Sequence, residues 1–86
     1  MPNEDALWMR FQVAIARDDL ETVAYVYRTD RSGRPIKPFW FSTYALSDLP
    51  YEIQRHGGGL FRIIIRRGRI IQFSGTLAFA ARVNAS

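Results

Sequence analysis

From Ile53 to Ser86 the chain carries six arginines (Arg55, Arg62, Arg66, Arg67, Arg69 and Arg82) and no Asp or Glu; the last acid is Glu52. The preceding 52 residues hold six basic and eight acidic side chains, so the formal charge of +4 divides into about −2 and +6. Four of the six arginines fall within Arg62–Arg69. So concentrated a positive field attracts a polyanion or an acidic protein surface. Eleven of the twelve basic residues are Arg, whose planar fork grips phosphate or carboxylate and stacks on rings. A GC-rich coding bias would leave the same composition.

Other chemistry is sparse. His56 is the only histidine and there is no cysteine, so no thiolate or paired-imidazole metal site can be built. At the end of a short helix, His56 would instead meet the last free carbonyls. Ser42, Thr43 and Ser47 have no base partner in sequence. Asp18 and Asp19 are adjacent carboxylates that read as solvated turn formers, lacking a nearby third ligand. Gly57-Gly58-Gly59 would close a helix and open a strand, the reverse of a phosphate-binding loop. A backbone nest holding one phosphate beside Arg55 is the functional alternative. We expect no catalytic residues, no metal and no cofactor: the chain does not read as an enzyme.

At 86 residues the chain makes one domain, with a total stability of roughly 4–13 kcal/mol by length scaling. Wholly apolar runs such as Phe39–Phe41 and Ile63–Ile65 fall far short of the ~20 residues that span a bilayer. The N-terminus is acidic rather than signal-like. No membrane partner is expected, and the location expected is cytoplasmic, either host-cell cytoplasm or a virion.

The elements that must position the arginines follow from periodicity. Leu7, Met9, Phe11, Val13 and Ile15 alternate with other residues and predict a strand over 7–16. A helix capped at Asn3 competes, because it brings Leu7, Phe11 and Ile15 onto one face. Thr22–Thr29 predicts a second strand, with Val23, Tyr25 and Tyr27 continuing an odd-numbered apolar face. Asp30–Arg34 makes a turn. Ile36–Tyr44 predicts a third strand, confined to an edge or a bulge by Pro35 and Pro38. Ser47-Asp48-Leu49-Pro50 opens a short helix, with Ser47 or Asp48 as cap and Pro50 in the first turn. That helix docks through Leu46, Leu49 and Ile53 and stops at the glycine triplet.

In the last hairpin the apolar residues Phe61, Ile63, Ile65, Ile71, Phe73, Leu77 and Phe79 are all odd-numbered. A three-residue loop Arg66-Arg67-Gly68 keeps them on one face, pairing Phe61 with Phe73, Ile63 with Ile71 and Ile65 with Arg69. Residues 80–86 have no pattern and are expected to fray. The fold class is therefore α+β, an antiparallel sheet of about five strands with one short helix in the order β-β-β-α-β-β, unless the N-terminal strand is a helix.

If the helix covers the odd face, the even face exposes Trp8, Arg10, Arg28, Trp40, Arg62, Ile64, Ile70 and Gln72. Aromatics interleaved with arginines on a sheet suit single-stranded nucleic acid, rings stacking on bases and guanidinium groups on the backbone. Such a patch also suits a second packed layer or a self-association face. Arg66, Arg67 and Arg69, with no acid nearby in sequence, would grip phosphates from the hairpin tip.

The run Gly57-Gly58-Gly59-Leu60-Phe61-Arg62-Ile63-Ile64-Ile65, followed by Gly68-Arg69-Ile70-Ile71 and Ser74-Gly75-Thr76, resembles small uncharacterised proteins of bacteriophages and mobile elements. The likeness covers about a third of the chain. Phe61 stands where that pattern usually has Tyr, and the proline-bearing third strand lies outside it. The resemblance implies a phage or mobile-element setting and carries over no functional residues.

Two functions follow as expectations. One is a non-enzymatic protein that binds DNA or RNA, with Arg62, Arg66, Arg67 and Arg69 on phosphates, Trp40 and Trp8 stacking on bases, and Arg10 and Arg28 beside them. The other is a structural or adaptor protein, such as a virion component or an inhibitor of a host protein, acting through an acidic protein partner or as a homo-oligomer.

Overall fold

The computed structural model describes residues 2–17 and 19–81. Asp18, Arg82 and the rest of the expected tail from 82 onward lie outside the described residues. The elements in chain order are α1 (Pro2–Ile15), β1 (Thr22–Arg28), β2 (Phe41–Thr43), a 3-10 turn (Leu46–Asp48), α2 (Leu49–Arg55), β3 (Gly59–Arg67) and β4 (Ile70–Phe79). The fold is α+β, with a single antiparallel sheet in the order β2-β1-β3-β4.

The first segment is the helix rather than the strand, which leaves four strands rather than about five. Its alternation is real but one-sided burial follows helical spacing. Phe11 and Ala14 are buried, Leu7 and Ile15 pack against the core, and Met9 and Val13 are 66% exposed. Residues 7, 11, 14 and 15 share one helical face, and strand parity would have buried Met9 and Val13 with Phe11.

Parity on β1 is also the reverse of the expectation. Ala24 pairs with Ile65 and Val26 with Ile63, and all four are fully buried under the helices. Tyr25 pairs with Ile64 and Tyr27 with Arg62 on the opposite, open side. The third strand is shorter than expected, only Phe41–Thr43, and it does occupy an edge. The loop before it hugs β1 through Ile36 N–H to Arg28 O (2.7 Å) and Trp40 N–H to Val26 O (2.7 Å).

The second helix docks as expected, with Leu46, Leu49 and Ile53 buried. Neither Ser47 nor Asp48 caps it by side chain; the chain enters through the 3-10 turn instead, with Pro50 in the first turn. Gly57, Gly58 and Gly59 all have positive φ (105°, 65° and 120°). A Cβ on Gly58 would lie 2.5 Å from the Phe79 carbonyl oxygen, so glycine is required there both for conformation and for the close approach of the residues after β4.

The hairpin corrects another expectation. Arg67 pairs with Ile70 across a two-residue turn, Gly68-Arg69, and Ile65 pairs with Phe73, Ile63 with Gly75 and Phe61 with Leu77. Gly68 has φ +61° and Arg69 does not have positive φ, as in the two-residue hairpin turn that takes Gly first. Such a turn joins odd to even residues. The register shift between Ile65 and Arg66, which leaves Gln72 unpaired, restores odd with odd. Phe61, Ile63, Ile65, Phe73, Leu77 and Phe79 thus stay on one face by a bulge, not by a longer loop, while Ile71 pairs with Arg66 and is exposed.

Candidate nucleic-acid interface

Helices cover one face of the sheet, where Phe11, Phe61, Phe73 and Phe79 form the aromatic centre of the core. The other face is formed on β1 by Val23, Tyr25 and Tyr27 and on β3 by Arg62, Ile64 and Arg66, which lie opposite them in register. Phe39, from the loop before β2, joins this face: its ring centroid lies 5.1 Å from Tyr25 and 6.2 Å from Tyr27, both edge-on. Tyr25 and Tyr27 are two residues apart on a central strand, about 6.6–6.8 Å along its direction. On the far side, Arg62 pairs with Thr76 and Ile64 with Ser74. Arg62 donates to Ser74 Oγ (3.2 Å), which aims its half-buried guanidinium along the face. No acidic side chain alternates onto this surface from the four strands.

The four hairpin arginines divide. Arg67 lies opposite Thr22 at the end of β1, where it meets the preceding turn and forms ion pairs with Glu21 (2.8 Å) and Asp19 (3.8 Å). No acid lies near the cluster in sequence, but the fold brings these two distant ones to Arg67. Arg66 and Arg69 are exposed and make no ion pair among the described residues. Asp19 is more than a solvated turn former, because its Oδ1 accepts from Glu21 N–H (2.9 Å), Thr22 N–H (2.8 Å) and Thr22 Oγ1 (2.8 Å). The Thr22 hydroxyl, followed by the backbone amides and Arg67, holds its carboxyl below the usual carboxylate range.

The remaining candidates do not share the open face. Trp8 and Arg10 sit on α1, across the sheet, and Trp8 packs edge-on against Phe11 (5.5 Å) and Phe79 (5.2 Å). Trp40 belongs to the rim of the covered side, stacked on Phe61 at 5.4 Å, with the Arg28 guanidinium 4.5 Å over its ring and His56 edge-on at 5.1 Å. Arg28 and Trp40 therefore engage each other rather than project together with Arg62. Gln72 is the bulged residue and lines a groove with α1. The even-face set is thus split among three places, because the helix and the bulge both break the single parity it assumed.

His56 does end α2, its N–H bonding Glu52 O (3.2 Å), with its ring near Glu52 and Arg55. Arg55 pairs with Glu52 at 3.0 Å, which raises its pKa. Beside them a shallow cleft is lined by Arg28, Trp40, His56, Gly58 and Gly59. No group of three or more His, Asp or Glu close enough to hold a metal occurs among the described residues. None of the described helices is long and apolar enough to cross a membrane.

Sequence reasoning missed Tyr25, Tyr27 and Phe39. Their signal was present: Val23-Ala24-Tyr25-Val26-Tyr27 is apolar on both parities, so either set could have faced the core. Comparison of the chain with protein-family models, curated proteins and solved structures finds no match.

Proposed function

We propose that this is a small non-enzymatic protein that binds single-stranded nucleic acid across the open face of its sheet and along the arginine hairpin, in a phage or mobile-element setting. One observation carries the reading: Tyr25 and Tyr27 lie on a central strand directly beside Arg62 and Ile64, on a face that receives no acid from the four strands and no helix among the described residues. Rings on a sheet stack on bases whatever their sequence, and adjacent guanidinium groups take the phosphates. Tyr25, Tyr27 and Phe39 replace Trp8 and Trp40 as the stacking residues. Arg62, Arg66 and Arg69 are the phosphate contacts, because Arg67 is committed to Glu21.

The test is a titration of random single-stranded DNA and RNA oligonucleotides by fluorescence anisotropy at several salt concentrations. Three phosphate contacts at about −0.7 each give a log–log salt slope near −2. Arg62→Ala/Arg66→Ala should flatten that slope and Tyr25→Ala/Tyr27→Ala should weaken binding without flattening it. Absence of binding at low salt, or equal binding by both variants, would sink the proposal.

The alternative of a structural or adaptor protein draws on Leu60 and Ile71, which are exposed and share the parity of the open face. Sedimentation across the concentration range separates the two, since self-association through this face would compete with the oligonucleotide.

A further inference from the structure

The two edges of the sheet are built differently. The β2 edge is three residues long and its flanking loop contains Pro35 and Pro38, the devices by which proteins blunt an edge. At the other edge lies β4, ten residues Ile70–Phe79, without a single Asp, Glu, Lys, Arg or Pro. Its only interruption is the Gln72 bulge, which leaves Phe73–Phe79 regular against β3. Nothing among the described residues pairs with the outer side of that strand. Unpaired backbone groups along such a strand are a template for another extended chain.

A second feature opens on the same side. Met9, Arg10, Val13 and Ala14 of α1, with Arg17 just beyond its end, line a groove of about 340 Å³ with Gln72 of β4. Ile15, Ala16 and Arg17 border a separate cleft with Tyr44–Ser47 at the 3-10 turn, whereas Met9, Arg10 and Val13 face the groove beside Gln72 of the edge strand β4. Met9 and Val13 are each 66% exposed, and Arg10 and Arg17 have no ion-pair partner among the described residues.

We infer that the β4 edge and the α1 groove together bind an extended, acidic segment of a partner protein, added as a fifth strand. Backbone pairing along Phe73–Phe79 supplies sequence-independent affinity. Apolar residues of the segment cover Met9 and Val13, and its carboxylates meet Arg10 and Arg17. Charge selects this occupant over a second copy of the chain. A two-fold pairing of β4 with itself sets the two α1 helices antiparallel over the joined sheet, each with its Arg10 and Arg17 flank toward the other's, and like charges so placed oppose association. This site is separate from the open face and stands whether or not nucleic acid binds there.

The test uses acetyl-(Val-Thr-Glu-Thr)2-amide as probe, which as a strand carries Val and Glu alternately along one face, acetyl-(Val-Thr-Lys-Thr)2-amide as control and the whole chain labelled for amide NMR. The acidic peptide is expected to bind saturably, to shift and protect the amides of Phe73–Phe79 with those of β2 unmoved, and to bind at least about tenfold more tightly than the basic one. Arg10→Glu/Arg17→Glu, two exposed positions whose folding is checked by circular dichroism, should lose that preference. Equal binding of both peptides to the wild type, shifts confined to the open face, or no binding of the acidic peptide would overturn the inference. So would a stable dimer in sedimentation whose β4 amides are already protected, because the occupant would then be the second copy.

Discussion

On β1 the side chains turned toward the helices are Thr22, Ala24 and Val26, while the bulkier Val23, Tyr25 and Tyr27 lie on the open side. Hydrophobic content alone would have placed them the other way round. The covered face takes its bulk from elsewhere: Phe11, Leu49 and Ile53 are fully buried and fill the space above the sheet, so a strand beneath them needs small residues to let the layers close. With no helix among the described residues above it, the open face can carry half-buried rings such as Tyr25 and Tyr27. What lies above a strand, more than how apolar its residues are, decides which of them are core and which are free to bind.

That contrast breaks most readily on the covered side. Phe11→Ala removes the ring that meets Trp8, Phe73 and Phe79, and urea unfolding should show a loss of about 3–5 kcal/mol. Against a total of roughly 4–13 kcal/mol for a domain of this length, the variant is expected to be partly unfolded at room temperature. Gly58→Ala comes next. It combines positive-φ strain of about 1–2 kcal/mol with ~1–3 kcal/mol of overpacking, since its Cβ would meet the backbone of Phe79, Ala80 and Ala81. Gly57→Ala has nothing within 4 Å and should show only the strain, so the difference between the two melts isolates the close approach.

Changes on the open side should act on binding instead. Tyr25→Ala/Tyr27→Ala is expected to cost about 1–3 kcal/mol of oligonucleotide affinity per stacked base and less stability than Phe11→Ala. An effect on folding as large as that of Phe11 would erase the distinction between the faces.

The turn entering β1 has a pH signature. Because Asp19 titrates below its ordinary value of 3.8, its stabilising contribution is complete above that value and is lost as pH falls through the lower folded one. Acid unfolding of Asp19→Asn should therefore show a shallower pH dependence below about 4. The smallest effect is expected for Arg67→Ala, whose shorter ion pair is to the exposed Glu21 and is worth ~0–1 kcal/mol. It should leave the salt slope of oligonucleotide binding unchanged, whereas Arg66→Ala should reduce it by about 0.7.

Much of the fold was legible from local chemistry. Leu49-Pro50, the glycine triplet and the turn Asp30–Arg34 each sit where residue type alone put them, because Pro and Gly act on their own backbone. The open-face idea, aromatics interleaved with arginines, also has a physical counterpart, but with different aromatics. Trp8 and Trp40 pack internally, and periodicity could not exclude this because Leu7–Ile15 satisfies strand and helix spacing at once. The hairpin register escapes for a related reason: a bulge at Gln72 keeps Phe73, Leu77 and Phe79 on the covered face as well as a longer loop would, at the cost of turning Ile71 outward.

By itself, the sequence determined the charge asymmetry, the uncharged run Ile70–Phe79, the helix stop at Gly57–Gly59 and the α+β class with its antiparallel hairpin, since each depends on residues near one another in the chain. Tertiary structure alone decided that Arg67 meets Asp19 and Glu21, that Arg66 and Arg69 stay unpaired among the described residues, and that Tyr25 and Tyr27 face outward. Those outcomes turn on which distant segments come within a few ångströms, and Arg62, Arg66 and Arg67 acquire different surroundings only once β1 is laid beside β3.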